Sequence, residues 1–366
     1  MKKINKLWIK VIVAAVAAAV VFILSHCAQH YPQAAEKVYS RGIYRVYAQL
    51  YSTITGLVPV SVSELLLLAG LPVGLVLSIL RWVKKKIGWQ RFVSGWLTAV
   101  LTLYLLFQAG WGLNYSRMPY ASVAGLETQS VEISKVEELT LELAQQANQL
   151  RAQLVQGDKA YVLQETQRDV MRKVNAAYKN ASETRPWLAG HYGTPKLAIL
   201  STTLAYLNIA GIFSPFTMEA HVDAKEADVM LAATAMHEAA HLRGFAREDE
   251  ANYIAYAVCM ESDDVYVRYS GTILALIYAG NALAGADLER YSEAVQTYSA
   301  GVRADLRAYN ANWEPYQGKA AEVHDQMNDA YLKANHQTDG VKSYGRMVDL
   351  LIAQMEADKT EGKDSK

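Results

Sequence analysis

The sequence predicts a mainly helical protein in two parts: an N-terminal module of three membrane helices, then a mostly helical α+β domain with a small sheet just before its central helix. Three observations predict it. The first 113 residues hold three apolar stretches long enough to cross a bilayer core, which takes about 20 residues. From Ser130 onward the apolar residues recur at the spacing of soluble helices. Strand and turn signals gather between residues 197 and 224. At 366 residues the chain has room for both parts.

The first apolar stretch, residues 8–25, follows Lys2, Lys3 and Lys6, has Lys10 at its start and is otherwise almost entirely Val, Ala, Ile, Leu and Phe. The second, 57–80, contains Pro59, Pro72 and Gly74, which membrane helices tolerate when the freed backbone groups find other partners. The third, 92–113, carries Trp96 and Trp111 near its ends, where aromatic rings favour the interface. Glu64 is the one acid inside these runs, and its place close to a helix start suits a structural carboxylate reaching the interface. The loop between the second and third helices holds Arg81, Lys84, Lys85, Lys86 and Arg91 and no acid. The positive-inside rule puts this loop and the basic N-terminus on the cytoplasmic side, so everything after Asn114 is expected outside.

Composition narrows the function classes. Lys plus Arg and Asp plus Glu each number 36, which leaves no basic surplus to attract nucleic acid. The two cysteines, Cys27 and Cys259, make neither a disulfide framework nor a thiolate metal site. Cys27 ends an apolar run as a lipoprotein cysteine does, but Leu24-Ser25-His26 lacks the small residue needed before the cysteine, and an uncleaved anchor is expected.

In the second part, Val136, Leu139, Leu143, Ala147, Leu150 and Leu154 predict a helix over 131–154, with Ser134 and Glu137 as a capping box. Further helices are expected over 164–178, 286–309, 319–334 and 343–357, and the apolar run 273–284 reads as a core helix too short to span. The domain is expected to run from 114 to 357, and the polar residues 358–366 to be a disordered tail.

His237-Glu238-Ala239-Ala240-His241 sits in an alanine-rich segment that favours helix. Residues four apart share a helix face, so the two imidazoles can grip one ion, while Glu238 projects about 100° round and can reach a water on it. Zn2+ so held polarises a carbonyl and acidifies water, and a neighbouring carboxylate can carry the proton from water to a leaving amine. A catalytic zinc needs a third protein ligand. Gly244 ends the helix, and the acid-rich segment beginning Glu248-Asp249-Glu250-Ala251-Asn252 starts another that doubles back. Glu248 and Asn252 share its face, making Glu248 the preferred third ligand and Asn252 a partner that holds a ligand in place; Glu250 is the alternative ligand. Residues 217–222 stand where an edge strand could pair with an extended substrate, with Glu219 and His221 lining the cleft. Tyr266 and Tyr269 are candidate donors to an oxyanion.

Several segments carry a resemblance. Trp111-Gly112-Leu113-Asn114-Tyr115-Ser116-Arg117, residues 237–256, Arg268-Tyr269-Ser270-Gly271 and the run 340–350 together resemble an uncharacterised bacterial family of membrane-anchored, zincin-like proteins catalogued as a domain of unknown function. The metal centre also resembles gluzincin metallopeptidases, in which a Glu followed after two residues by Ala or Ser and then Asp or Asn supplies the third ligand. Matched here, that pattern implies Glu248 on zinc with Ala251-Asn252 behind it. The interval from His241 to Glu248 is shorter than in better-known gluzincins, and the Gly244 turn is more like that of metzincins, whose third ligand would fall near Arg247.

The expectation is therefore a multi-pass zinc metallopeptidase of the bacterial cytoplasmic membrane, its N-terminus cytoplasmic and its catalytic domain extracytoplasmic. It would hydrolyse peptide bonds in envelope or exported proteins, with the bilayer and a protein or peptide substrate as partners and no nucleic acid. The competing expectation is a membrane sensor or scaffold with a non-catalytic zinc site.

Overall fold

A computed structural model describes residues 6–84, 87–128, 132–155, 157–334 and 346–364. The chain divides into two compact units, Met1–Met118 with Ser214–Glu219, and Pro119–Phe213 with Ala220–Lys366.

The first unit holds three helices long and apolar enough to cross a membrane: α1, Lys6–Gln29, whose spanning part is Leu7–Gln29; α3, Val62–Lys84; and α4, Trp89–Gly110. Almost none of their side chains is buried within the protein. That is the expected state of a surface whose solvent is lipid. α1 packs along α4. The basic loop expected between α3 and α4 lies partly outside the described residues, at Lys85 and Lys86.

A helix absent from the sequence reading, α2, fills residues 32–56 between the first two spans. It opens at Pro32, runs as a π-helix over Ala35–Tyr44 and continues as Arg45–Gly56. Its inward face carries the polar residues Glu36, Ser40, Ser52 and Thr55. Glu36, 4 % exposed, receives a two-pronged hydrogen bond from Arg117, at 2.7 and 2.8 Å, and a third from Arg41. Such a forked pair satisfies both carboxylate oxygens away from water. Trp111 lies just past the end of α4 and is buried beside Tyr44 and Tyr115. Glu64 stands in the first turn of α3, where Ser61 caps its backbone N–H. An acid there suits the positive end of the helix.

In the second unit, α5 (Ile133–Leu154) starts after Glu132, which makes no side-chain cap; the expected Ser134–Glu137 box does not form, and Ser134 instead donates to Glu132. α6 (Gln167–Ala181) is capped by Thr166 and ends a turn later than expected. The strands fall within the expected stretch: β1 (Lys196–Leu197), β2 (Gly211–Ser214) and β3 (Glu219–Val222). Their order is β1-β3-β2. β1 runs parallel to β3, with Lys196 opposite His221, and β2 and β3 form a hairpin, giving a mixed sheet.

Next come α7 (Leu231–Leu242), α8 (Glu248–Met260), α9 (Val265–Ala286), α10 (Leu288–Gln296), α11 (Ala300–Trp313), α12 (Lys319–Ala334) and α13 (Arg346–Asp364). α7 is buried all round, as an evenly apolar helix must be in water. It packs on α8, α8 on α9, and α9 on α5. The single helix expected over 286–309 is instead interrupted twice, because Asp287 and Ser299 accept backbone N–H groups and start new helices. The expected tail from Asp358 is helical to Asp364, and Lys359 is tied to Glu138 and Glu142 of α5. Residues 340–345 lie outside the described residues.

Candidate metal centre

α7 brings His237 and His241 onto one face, with ring centroids 4.6 Å apart and ring planes nearly perpendicular. The way α7 ends delivers the third group. Gly244 adopts a left-handed φ of 86°. Its N–H bonds to the carbonyl of His241 at 2.8 Å, and that of Phe245 to Ala240 at 3.2 Å. This is the Schellman arrangement, which glycine enters without a Cβ penalty. The reversed chain presents the Phe245 carbonyl to His241 Nδ1 at 2.7 Å. A carbonyl only accepts, so Nδ1 carries a proton, and in the neutral ring the lone pair is on Nε2.

α8 begins at Glu248, and its first turn holds Glu248, Asp249 and Glu250, charges that suit a helix N-terminus. The Glu248 carboxylate lies 3.2 Å from His237 Nε2 and 3.5 Å from His241 Nε2. One ligand atom from each of the three residues lies within 4.8 Å of the others, a group able to hold a metal ion. Tetrahedral ligands about 2.0–2.1 Å from a zinc ion stand about 3.3 Å from one another. The donor set, two imidazole nitrogens and a carboxylate oxygen, is therefore chemically and spatially suited to zinc. The three side chains remain 9–20 % exposed, so the group is not sealed in the core.

The charged groups of the cluster act on one another. Burial acts against charge on His241, but the Glu248 carboxylate outweighs it and pushes the imidazole up to about 9. Burial likewise opposes ionisation of Glu248, and the two histidines overcome it, holding that carboxyl far below its usual range. Glu238 is pushed up to about 7, first by burial and also by Glu248, against the pull of the histidines. Its Oε2 and the Nδ1 of His237 are buried and have no hydrogen-bond partner among the described residues.

Gly211, the first residue of β2, lies directly on Glu238. A Cβ there would come within 2.6 Å of the carboxylate oxygen and 2.7 Å of Cγ. A glycine within a strand can mark such a close approach, and that signal was present in the sequence.

The other expected site residues have different partners. Glu250 accepts from the Tyr120 N–H and from Arg247, each at 2.8 Å, and stands outside the His-His-Glu group. The Asn252 amide donates to the Tyr278 hydroxyl at 2.9 Å. Glu219 accepts from the N–H groups of Val62 and Ser63 at 3.1 and 2.9 Å, closing the N-terminus of α3. His221, 1 % exposed, bonds through Nδ1 to the Ile212 carbonyl at 3.2 Å. Tyr266 donates to the Asp228 carbonyl, and Tyr269 to the buried carboxylate of Asp305. β3 is the central strand, so residues 219–222 present no free sheet edge; β1 and β2 are the two edge strands.

Residues 39–352 match a family described as a protein of unknown function, DUF3810. The chain belongs to this family. No curated protein and no solved structure is matched by it. The matched span of this DUF3810 member includes α7, α8 and every residue of the His-His-Glu group.

Proposed function

We propose that the protein is a membrane-anchored zinc metallopeptidase whose catalytic domain lies outside the cytoplasm and acts on envelope or exported proteins. The observation that carries this reading is the unpartnered, buried carboxylate oxygen of Glu238 beside three converging metal-ligand side chains. A purely structural zinc site closes with four protein ligands and has no use for an extra carboxyl.

His237, His241 and Glu248 would hold the ion. When bound, it supplies Lewis acidity, polarising the scissile carbonyl and lowering the pKa of water. Glu238 takes a proton from the attacking water, whose oxygen adds to the carbonyl carbon, and passes it to the amine as the carbon–nitrogen bond breaks. β2 supports the substrate class: an extended peptide added to this edge strand would pass Gly211, and so Glu238. Asn252 would act behind the ligands.

Purified protein in detergent should contain one zinc per chain by elemental analysis. Glu238→Gln should keep the metal and lose at least about 100-fold in casein or peptide hydrolysis. Stoichiometric zinc with no Glu238-dependent cleavage across broad peptide libraries would make the protein a zinc-binding sensor or scaffold instead.

A further inference from the structure

α8 and α9 are antiparallel, and a glycine fixes how they meet. A Cβ on Gly271 of α9 would fall 2.4 Å from Cβ of Cys259 on α8, so the two backbones touch at this pair. Moving seven residues forward along α9 and seven back along α8, about two turns each, reaches Tyr278 and Asn252. Those are the residues found in contact, at 2.9 Å. Asn252 lies one turn beyond Glu248 on the same face of α8, so Tyr278 meets α8 one turn from the candidate ligand.

The direction of this hydrogen bond has a chemical result. The Asn252 amide donates and the Tyr278 oxygen accepts, which leaves the phenolic proton for another acceptor. Asn252 is 4 % exposed and so held in place, while Tyr278 is only half-buried. Burial, and then the charge of Glu248, keep the phenol neutral far above physiological pH. Tyr266 and Tyr269 instead donate their hydrogen bonds to the Asp228 backbone carbonyl and the Asp305 carboxylate.

We propose that Tyr278 donates a hydrogen bond to the substrate carbonyl oxygen as it becomes an oxyanion, and that Asn252 is the positioning residue that aims its proton. This rests on the metallopeptidase reading and names a further residue of that site.

The test uses the full-length, zinc-loaded protein in detergent and a mixture of phosphinic tripeptides, which mimic the tetrahedral oxyanion. Tyr278→Phe should keep its zinc, bind the phosphinic peptides at least about tenfold more weakly, and lose about 100-fold in kcat with little change in KM. Asn252→Asp, nearly the same shape but able only to accept, should capture the phenolic proton and cost about as much; Asn252→Ala should cost less. Wild-type phosphinic affinity in Tyr278→Phe, a harmless Asn252→Asp, or zinc loss in Tyr278→Phe would each overturn the assignment. Zinc-loaded wild-type protein that binds no phosphinic peptide and cleaves nothing would instead remove the peptidase reading, and the assignment with it.

Discussion

His241 faces two claimants for its Nε2 lone pair, a proton and a metal ion. With its pKa raised to about 9, the proton holds it through neutrality, and the ion must displace it. Metal binding then releases a proton, so affinity should rise with pH, by roughly tenfold per unit between pH 7 and 9, and flatten above; titration with a zinc indicator at several pH values measures this. Glu226 makes a second pH-dependent point. Burial pushes it up to about 7, against its hydrogen bonds to the Ala227 N–H and Thr234. An acid whose folded pKa is raised costs nothing while protonated in both states, below about 4.5, and weakens the fold as pH climbs through 7. Glu226→Gln should therefore raise Tm at pH 8 and leave it unchanged near pH 4. The two histidines could be read from sequence because four-residue spacing is a local property of a helix. Gly211 and Tyr278 meet their partners across the fold, and no local pattern names those partners.

Among elements, the Schellman turn is the most exposed to a single substitution. Gly244→Ala puts a Cβ on a left-handed residue at about 1–2 kcal/mol and moves the carbonyl that fixes the His241 tautomer. Lower Tm together with at least a tenfold loss of zinc affinity is expected, measured by thermal melts with and without metal. Gly211→Ala should be destabilising by about 1–3 kcal/mol through overpacking and should lose activity with zinc still bound, because the added methyl displaces Glu238 rather than a ligand. The helix stop at Gly244 and the return of α8 were legible because glycine and the acidic first turn are strong local signals. The breaks at Asp287 and Ser299 were hidden by continuous apolar periodicity across 286–309, which a capping side chain overrides. α2 escaped notice for a related reason. Its buried face carries Glu36, Ser40 and Ser52, so a pattern sought in apolar residues is blind to it.

At the scale of the molecule, the three spans were plain in the sequence because length and apolarity alone define them, while their ends shifted by up to several residues. A periplasmic-type reporter such as alkaline phosphatase fused after Asn114 should be active, and one fused within the loop after α3 inactive; the reverse pattern would place the metal centre in the cytoplasm. Expectations for the C-terminal end held less well, since Lys359 finds acids on α5 that nothing near it in sequence announces.

The β2–β3 hairpin sets a limit on how this protein can be cut apart. Its connecting residues, with Glu219, count among the neighbours of the spanning helices, even though they come a hundred residues later in the chain. Removing everything before Pro119 would strand that carboxylate without its two backbone donors and uncover Met218, 1 % exposed and in contact with Tyr44. Residues 119–366 produced alone should thus be nicked by protease within residues 214–219, where the intact protein resists, and the same strand that carries Gly211 would lose its anchor first.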